Sequence, residues 1–453
     1  MMNANNQNVH HPIRILNITP NGNIGGRERQ LFLLAREFTR YSDIHFDTLF
    51  LRAEGQFYER ASRLQSKTYT LSFRRFDLRR LVRMWLLFRS YDILNFWGVD
   101  NLCFVVALLT GKKMVFCLQG TRAILSKSIT GLLGQLFKRH SKNTHKQATD
   151  DRIPNSPIDD AQSDGMPTGG HAKLGIKWSG AKRLINKQIF GFFLHQCDAI
   201  IVPSKYLWEF CRDYFNVPVN KILVVHNTFD PREIVLTKSK SEVRNEIGVY
   251  NEALLVGTAA RFDPRKRLDR LVKAVSLVSS NLRVKAVIFG DGNSISKTSL
   301  LRQIEKLRVH ANFLLPGFRS DIYNYINAID LFVLPSDSEG MPLAIVESLY
   351  LKKPTVVFSD GGGVHEVILN GRTGYVVNSE QELADLIQRF YHEKEDLCRV
   401  AENGYRYVLD TFQVSRIALE YRRAFEAVAG FFASSKTLEP ATPAHPKAAY
   451  TVE

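Results

Sequence analysis

From residue 254 to residue 358 the chain repeats one pattern: a run of four to six mainly aliphatic residues, then a longer amphipathic or polar stretch. The runs fall at 254–259, 284–289, 312–315, 331–334 and 354–358, and the stretches at 268–278, 297–310, 322–327 and 342–351 have helical spacing. Apolar runs this short, without polar alternation, belong in strands covered on both faces, the environment of a parallel sheet with helices above and below. The same alternation runs more loosely through the first half, with strands expected at 13–18, 46–50, 93–96, 113–118, 199–203 and 221–226 and helices at 28–38, 78–90, 102–109 and 182–195. Leu31, Leu34, Ala35 and Phe38 share one face of the first of these helices. The fold class that satisfies both halves is α/β: two doubly wound Rossmann-like domains facing each other across a cleft, with ligands at the carboxyl ends of the strands.

The 453 residues, 45% of them hydrophobic, exceed one core and suit two. The expected N-terminal domain is 13–235 and the C-terminal domain 236–426, with a polar bridge at 237–246. Residues 1–12 and 427–453 read as flexible ends. A disordered insertion is expected at about 139–170, where Ser, Asn, Asp, Pro, Gly and Lys replace nearly all large apolar residues. Cys103, Cys117, Cys197, Cys211 and Cys398 form no Cys-x-x-Cys pair and no metal-ligand spacing, the usage of reduced thiols in a cytosolic protein. No stretch has signal-peptide form or approaches the roughly 20 apolar residues that cross a bilayer. The expected location is the cytoplasm, with attachment at the inner face of the membrane left open.

Net charge is +16, and it is unevenly placed. Residues 1–235 carry 33 Lys and Arg against 19 Asp and Glu, whereas residues 236–453 carry 28 against 26. Such a field draws a polyanion, a charged glycan or an anionic lipid surface. No nucleic-acid motif or aromatic-basic stacking pattern accompanies it, so nucleic acid is not an expected partner. The Arg-rich helix at 78–90 carries Arg79, Arg80 and Arg83 beside Leu81, Trp85, Leu86 and Leu87; it fits an anionic membrane or an ordinary protein surface equally well.

Chemistry concentrates at strand ends. After the strand at 331–334, the segment from Pro335 to Glu347 holds Glu339, Gly340, Met341, Pro342 and Leu343, with Pro342 expected at the first helical position. Gly340 lets the backbone approach a ligand, and the free N–H groups of the helix start favour a phosphate. Glu339 and Glu347 accept hydrogen bonds from hydroxyls and repel phosphate, so the pair suits a ligand carrying both; alone, two such glutamates merely suit a helix start. Arg261 and Lys266 follow the strand at 254–259 and suit a diphosphate, or a solvated basic loop. Gly290-Asp291-Gly292 and Gly25-Gly26 mark tight turns after two further strands.

Taken in order, Gly25-Gly26, Arg261 to Lys266, Phe289 to Gly292, Leu315-Pro316-Gly317-Phe318, Glu339 to Glu347, Gly361-Gly362-Gly363-Val364-His365-Glu366 and Gly371 to Tyr375 resemble the retaining GT-B glycosyltransferases of the glycosyltransferase group 1 family, of the family 4 type. The match is dense over about 250–425 and thin before it. The resemblance implies that Glu339 holds donor-sugar hydroxyls and Glu347 the ribose hydroxyls of the nucleotide. Arg261 and Lys266 would stabilise the leaving diphosphate with backbone N–H groups from Gly340 to Leu343. Gly290, Gly317 and Phe318 would border the nucleotide, and Gly25-Gly26 would close over it from the other domain. It implies no metal or other cofactor, since two cations and a helix terminus replace a magnesium ion, and no Asp-x-Asp motif lies near a strand end. Many relatives place a His where this chain has Gln119, which can bond a sugar but cannot shuttle a proton. The expected partners are a nucleotide diphosphate sugar and a glycan or lipid-linked acceptor of the cell envelope. The alternatives are a nucleotide-sugar epimerase on the same fold and a non-catalytic nucleotide-sugar-binding protein.

Overall fold

The computed structural model describes residues 11–23, 25–71, 78–98, 100–120, 179–250, 252–393 and 395–430. The insertion expected at 139–170 lies outside these residues, as do residues 1–10 and 431–453 of the two expected flexible ends.

The N-terminal half runs β1 (Ile13–Thr19), α1 (Gly26–Phe38), β2 (Ile44–Phe50), α2 (Gln56–Ala61), β3 (Thr68–Thr70), α3 (Leu78–Arg89), β4 (Ile93–Phe96), α4 (Asn101–Thr110), β5 (Lys113–Cys117), α5 (Ser179–Gln196), β6 (Ala199–Val202), α6 (Lys205–Phe215) and β7 (Ile222–Val224). Its strands are parallel, in the order β3-β2-β1-β4-β5-β6-β7. The second half runs α7 (Lys240–Glu246), β8 (Leu254–Ala259), α8 (Leu268–Leu277), β9 (Val284–Phe289), α9 (Ser294–Lys306), β10 (Phe313–Gly317), α10 (Ile322–Ala328), β11 (Leu331–Leu334), α11 (Leu343–Tyr350), β12 (Thr355–Phe358), β13 (Tyr375–Val377), α12 (Glu380–His392), α13 (Glu395–Phe412) and α14 (Val414–Ala429). Its sheet is also parallel, in the order β10-β9-β8-β11-β12-β13. In each sheet the winding reverses beside the first strand: β1 lies between β2 and β4, and β8 between β9 and β11. Beyond the carboxyl ends of those strands a doubly wound sheet opens a crevice.

The strands form where the sequence is apolar on both sides. Leu331 to Leu334 are all within 1% of full burial, and so are Val356 and Val357 of β12. Helix starts follow local capping: Asp100 accepts from the Cys103 N–H at 3.0 Å to open α4, and Ser204 from the Leu207 N–H at 3.3 Å to open α6. The segment expected as a polar bridge is in part a helix, α7, because Ser239 and Glu242 close a reciprocal capping box. Arg244 of α7 is 2% exposed and pairs with Asp330, which docks this helix on the C-terminal domain.

Two chain segments cross between the domains, and they are bonded to each other. The Phe229 N–H donates to the Phe412 carbonyl at 3.0 Å, and the Val414 N–H returns to the Phe229 carbonyl at 3.0 Å. Beyond this crossing α14 packs on the N-terminal sheet. Ile417, Ala418, Tyr421, Ala424 and Phe425 join Ile15, Leu31, Phe38, Phe46 and Trp97 in one core. Residues 414–429 therefore complete the N-terminal domain, where a C-terminal domain reaching 426 and a flexible tail from 427 were expected. This second layer also explains why α1 is buried nearly all round rather than along the single face that Leu31, Leu34, Ala35 and Phe38 define.

Candidate active site

β11 ends at Leu334, and the chain turns through residues 335–342 into α11. Pro342 is extended at φ −80°, ψ 119° and stands before the helix, whose first residue is Leu343. Two backbone bonds set Glu339 in place. Its N–H donates to the Gly361 carbonyl at 3.0 Å, and its carbonyl accepts from the Gly363 N–H at 2.8 Å. Lys266 closes a short turn after β8, a turn that Asp263 caps by accepting from the Arg265 N–H at 3.1 Å. From there Lys266 Nζ donates to Glu339 Oε1 at 2.5 Å, with side chains 21% and 15% exposed. The two elements that flank the crevice, β8 and β11, thus each deliver one half of an ion pair.

Glu347 lies one turn into α11 and is 7% exposed. Its Oε1 accepts from the Tyr323 hydroxyl at 3.3 Å and from Arg29 of α1, which crosses from the other domain. The Arg29 guanidinium stands 5.7 Å from the centre of the Tyr323 ring. Burial alone would lower the affinity of Arg29 for its proton, but the charge of Glu347 and the contact with Tyr323 outweigh it, and the group is held above its ordinary range. The Tyr323 hydroxyl is pushed up by burial and then by the Glu347 carboxylate.

The N-terminal domain supplies the opposite wall. A Cβ on Gly340 would stand 2.6 Å from the Gln119 carbonyl oxygen, so glycine lets the end of β5 reach the α11 turn. The Gln119 side-chain Nε2 is buried and has no hydrogen-bond partner among the described residues. Gly25 precedes α1 without a side-chain cap, and a Cβ on Gly26 would lie 3.9 Å from Leu343 Cδ1. The starts of α1 and α11 therefore face each other. Asn227 Nδ2 donates to the Met341 carbonyl at 3.0 Å, and the Tyr206 hydroxyl meets Ser338 Oγ at 3.4 Å.

The structure therefore gathers Gly25, Gly26, Gln119, Lys266, Glu339, Gly340, Met341, Pro342, Leu343 and Glu347 around one crevice. Gly290 and Gly317 stand together on its flank, the Gly290 N–H donating to the Gly317 carbonyl at 3.0 Å, with Phe318 next to them and 56% exposed. Arg261 is separate: its side chain is exposed and makes no hydrogen bond or ion pair among the described residues. Sequence reasoning missed Arg29, Tyr323, Asn227 and Tyr206. Arg29 follows Gly25-Gly26 closely enough to have been suspected, but the other three carry no local signal. Among the described residues no group of three or more His, Cys, Asp or Glu has the arrangement of a metal site.

Residues 239–407 match the sequence model of a family described as glycosyl transferases group 1. TuaC of Bacillus subtilis (strain 168), named for teichuronic acid biosynthesis, is 30% identical over 194 residues, 42% of this chain and 46% of that protein. An Escherichia coli protein named UDP-Gal:alpha-D-GlcNAc-diphosphoundecaprenol alpha-1,3-galactosyltransferase is 27% identical over 221 residues, 47% of this chain and 57% of its own. The chain spans about half the length of the curated relatives it matches. In three dimensions it superposes on Anabaena HepE, crystallised with UDP and glucose, with a TM-score of 0.68 at 18% identity, covering 92% of this chain and all of that one. The two-domain architecture is that of the GT-B fold.

Proposed function

We propose, from the match of residues 239–407 to the group 1 glycosyl transferases, that the protein moves a sugar from a nucleotide diphosphate sugar to an acceptor hydroxyl, with retention at the anomeric carbon. The observation that carries this reading is the pairing of Lys266 with Glu339 at the crevice between β8 and β11, on the turn that leads into α11 and Glu347. Glu339 accepts hydrogen bonds from donor-sugar hydroxyls, and Lys266 exchanges the carboxylate for the departing diphosphate. Arg261, which no described residue holds elsewhere, swings onto the same phosphates. The N–H groups at the start of α11 face them too, so charge that develops on the leaving group meets donors already in place.

Gln119 Nε2 donates to a sugar or acceptor oxygen. No residue in the crevice is needed as a nucleophile. The bond from the anomeric carbon to the phosphate oxygen breaks, the acceptor oxygen bonds to that carbon from the same face, and its proton passes to the departing phosphate. Lys266, Arg261 and the helix terminus carry the charge in this scheme, so we place no metal in it.

For the acceptor we propose a lipid-linked or cell-envelope glycan, met at an anionic membrane surface. Helix α3 contains no Asp or Glu and exposes Arg83, Val82 at 49% and Leu86 at 55%. Its neighbour α4, joined to it at Met84 and Cys103, exposes Val105 and Leu109, and α5 beyond it exposes Phe192. Three adjacent helices thus present apolar side chains, with the arginines of α3 beside them. No helix among the described residues is long and apolar enough to cross a membrane.

The test is incubation of the purified protein with UDP-, GDP- and ADP-sugars. Slow release of nucleoside diphosphate from one donor, unaffected by a chelator and lost in Glu339→Ala, supports the transferase. A new nucleotide sugar in the mixture instead indicates the epimerase. Binding without turnover, even with membrane extract as acceptor, removes the catalytic reading and leaves a donor-binding protein.

A further inference from the structure

Arg29 projects from the first turn of α1 and ends on a carboxylate of the opposite domain. The Arg29 and Glu347 side chains are 16% and 10% exposed, so solvent screens this pair little. Arg29 and Tyr323 both donate to the same oxygen, Oε1, while Oε2 has no donor among the described residues. Arg29 also keeps one sealed nitrogen, Nη2, without a partner among the described residues. A buried donor left over beside a carboxylate that offers one free oxygen marks a place where a further polar ligand completes the bonding.

The anchorage of α1 adds a second property. Gln30, the next residue, exchanges two hydrogen bonds with the backbone of Thr228 in the crossing segment, both at 2.6 Å. Arg36, two turns on, pairs with Asp230 and Glu233 in the same segment. Arg29 is therefore held where it is by the part of the chain that sets the relation between the domains.

We propose that Arg29 is a positioning residue for nucleotide recognition: by pinning Glu347 Oε1 from across the cleft it presents Oε2 to the ribose hydroxyls. Selection of a ribonucleotide then depends on the N-terminal domain standing against the C-terminal one. The inference rests on the reading, given above, that Glu347 meets the ribose of the donor.

The experiment is calorimetric titration of the full chain with UDP against 2′-deoxy-UDP, repeated with the GDP and ADP pairs. The wild type is expected to prefer one ribonucleotide over its deoxy form by about tenfold, the worth of a hydrogen bond to a charged group. Glu347→Gln brings that ratio close to one. Arg29→Ala reduces it by about threefold or more, Arg29→Lys restores part of it, and Arg29→Ala adds no further loss of discrimination to Glu347→Gln. A residue that only supports the fold would weaken both ligands in parallel and leave the ratio alone. If Arg29→Ala keeps the wild-type ratio, the positioning role is overturned and the ribose role of Glu347 stands. If Glu347→Gln keeps it, both are overturned. Should Arg29→Ala unfold, Tyr323→Phe removes the other donor to Oε1 and must lower the same ratio.

Discussion

The protein uses one topology twice and loads the two copies differently. Both sheets place their first strand beside the fourth strand of the series and open a crevice there, and each crevice faces a helix start that lacks a side-chain cap, α1 and α11. In the C-terminal copy the crevice holds carboxylates, Glu339 and Glu347, and the cation Lys266. In the N-terminal copy the turn before α1, from Pro20 to Gly25, carries no charged residue, and the charges lie elsewhere: on α1, which grips the crossing segment, and on the outer helix α3. The difference teaches that the strand order fixes where a ligand goes, while the side chains at the strand ends decide which copy receives it.

The hardest test of this division is to remove the cation. Lys266→Ala is expected to lower transfer or donor hydrolysis by about 10²–10³-fold, the range seen when one preorganised donor to a developing negative charge is lost. Binding of the nucleoside diphosphate should weaken less, and thermal stability should change little. Arg261→Ala should give a smaller loss, because Arg261 must first be ordered. Equal losses for both, or none for Lys266→Ala, would break the claim that the C-terminal crevice does the chemistry.

The outer face sharpens the comparison from the other side. Replacing Arg79, Arg80 and Arg83 by Glu together, or Val82 and Leu86 by Asp, should abolish sedimentation with anionic vesicles. With about 1 kcal/mol for each basic residue near an anionic surface, three reversals suffice. Hydrolysis of a soluble donor should be untouched. Binding of the wild type to neutral vesicles equally well, or to neither kind, would remove the membrane from the role of the N-terminal copy.

Much of this was legible in the chain. Five of the six strands of the C-terminal sheet could be read to within two residues at either end because apolar runs buried on both faces have no other home, whereas the three-residue edge strand β13 (Tyr375–Val377), only one of its residues buried, went unread. Glu339, Gly340 and Lys266 were legible because turn chemistry and charge fall at strand ends. What could not be read depends on distance. Arg29 meets Glu347 across 318 positions of sequence. A charged residue in the first turn of an amphipathic helix otherwise reads as solvent-facing. Likewise α14 has an apolar face that says it must be covered, but nothing local says that the N-terminal sheet covers it.

The smallest effect concerns the joint between the copies. Glu366, from the loop after β12, accepts from the Lys205 N–H at 2.7 Å and lies 3.1 Å from His226 Nε2, both on N-terminal segments. Tyr407 adds a bond to its carbonyl at 3.0 Å. Burial raises this carboxyl, but the hydrogen bond and charge of His226, the Lys205 N–H and the Lys205 charge outweigh it and hold it below the ordinary Glu range. A carboxyl lowered in the folded state adds stability that is complete above its unfolded value and is lost as pH falls through the folded one. Glu366→Gln should therefore melt lower than the wild type near neutral pH, by about 2 °C, and the two curves should converge as pH drops below about 4. A gap that widens in acid would reverse the sign, and would mean that the joint is held by the shape of the loop rather than by its charge.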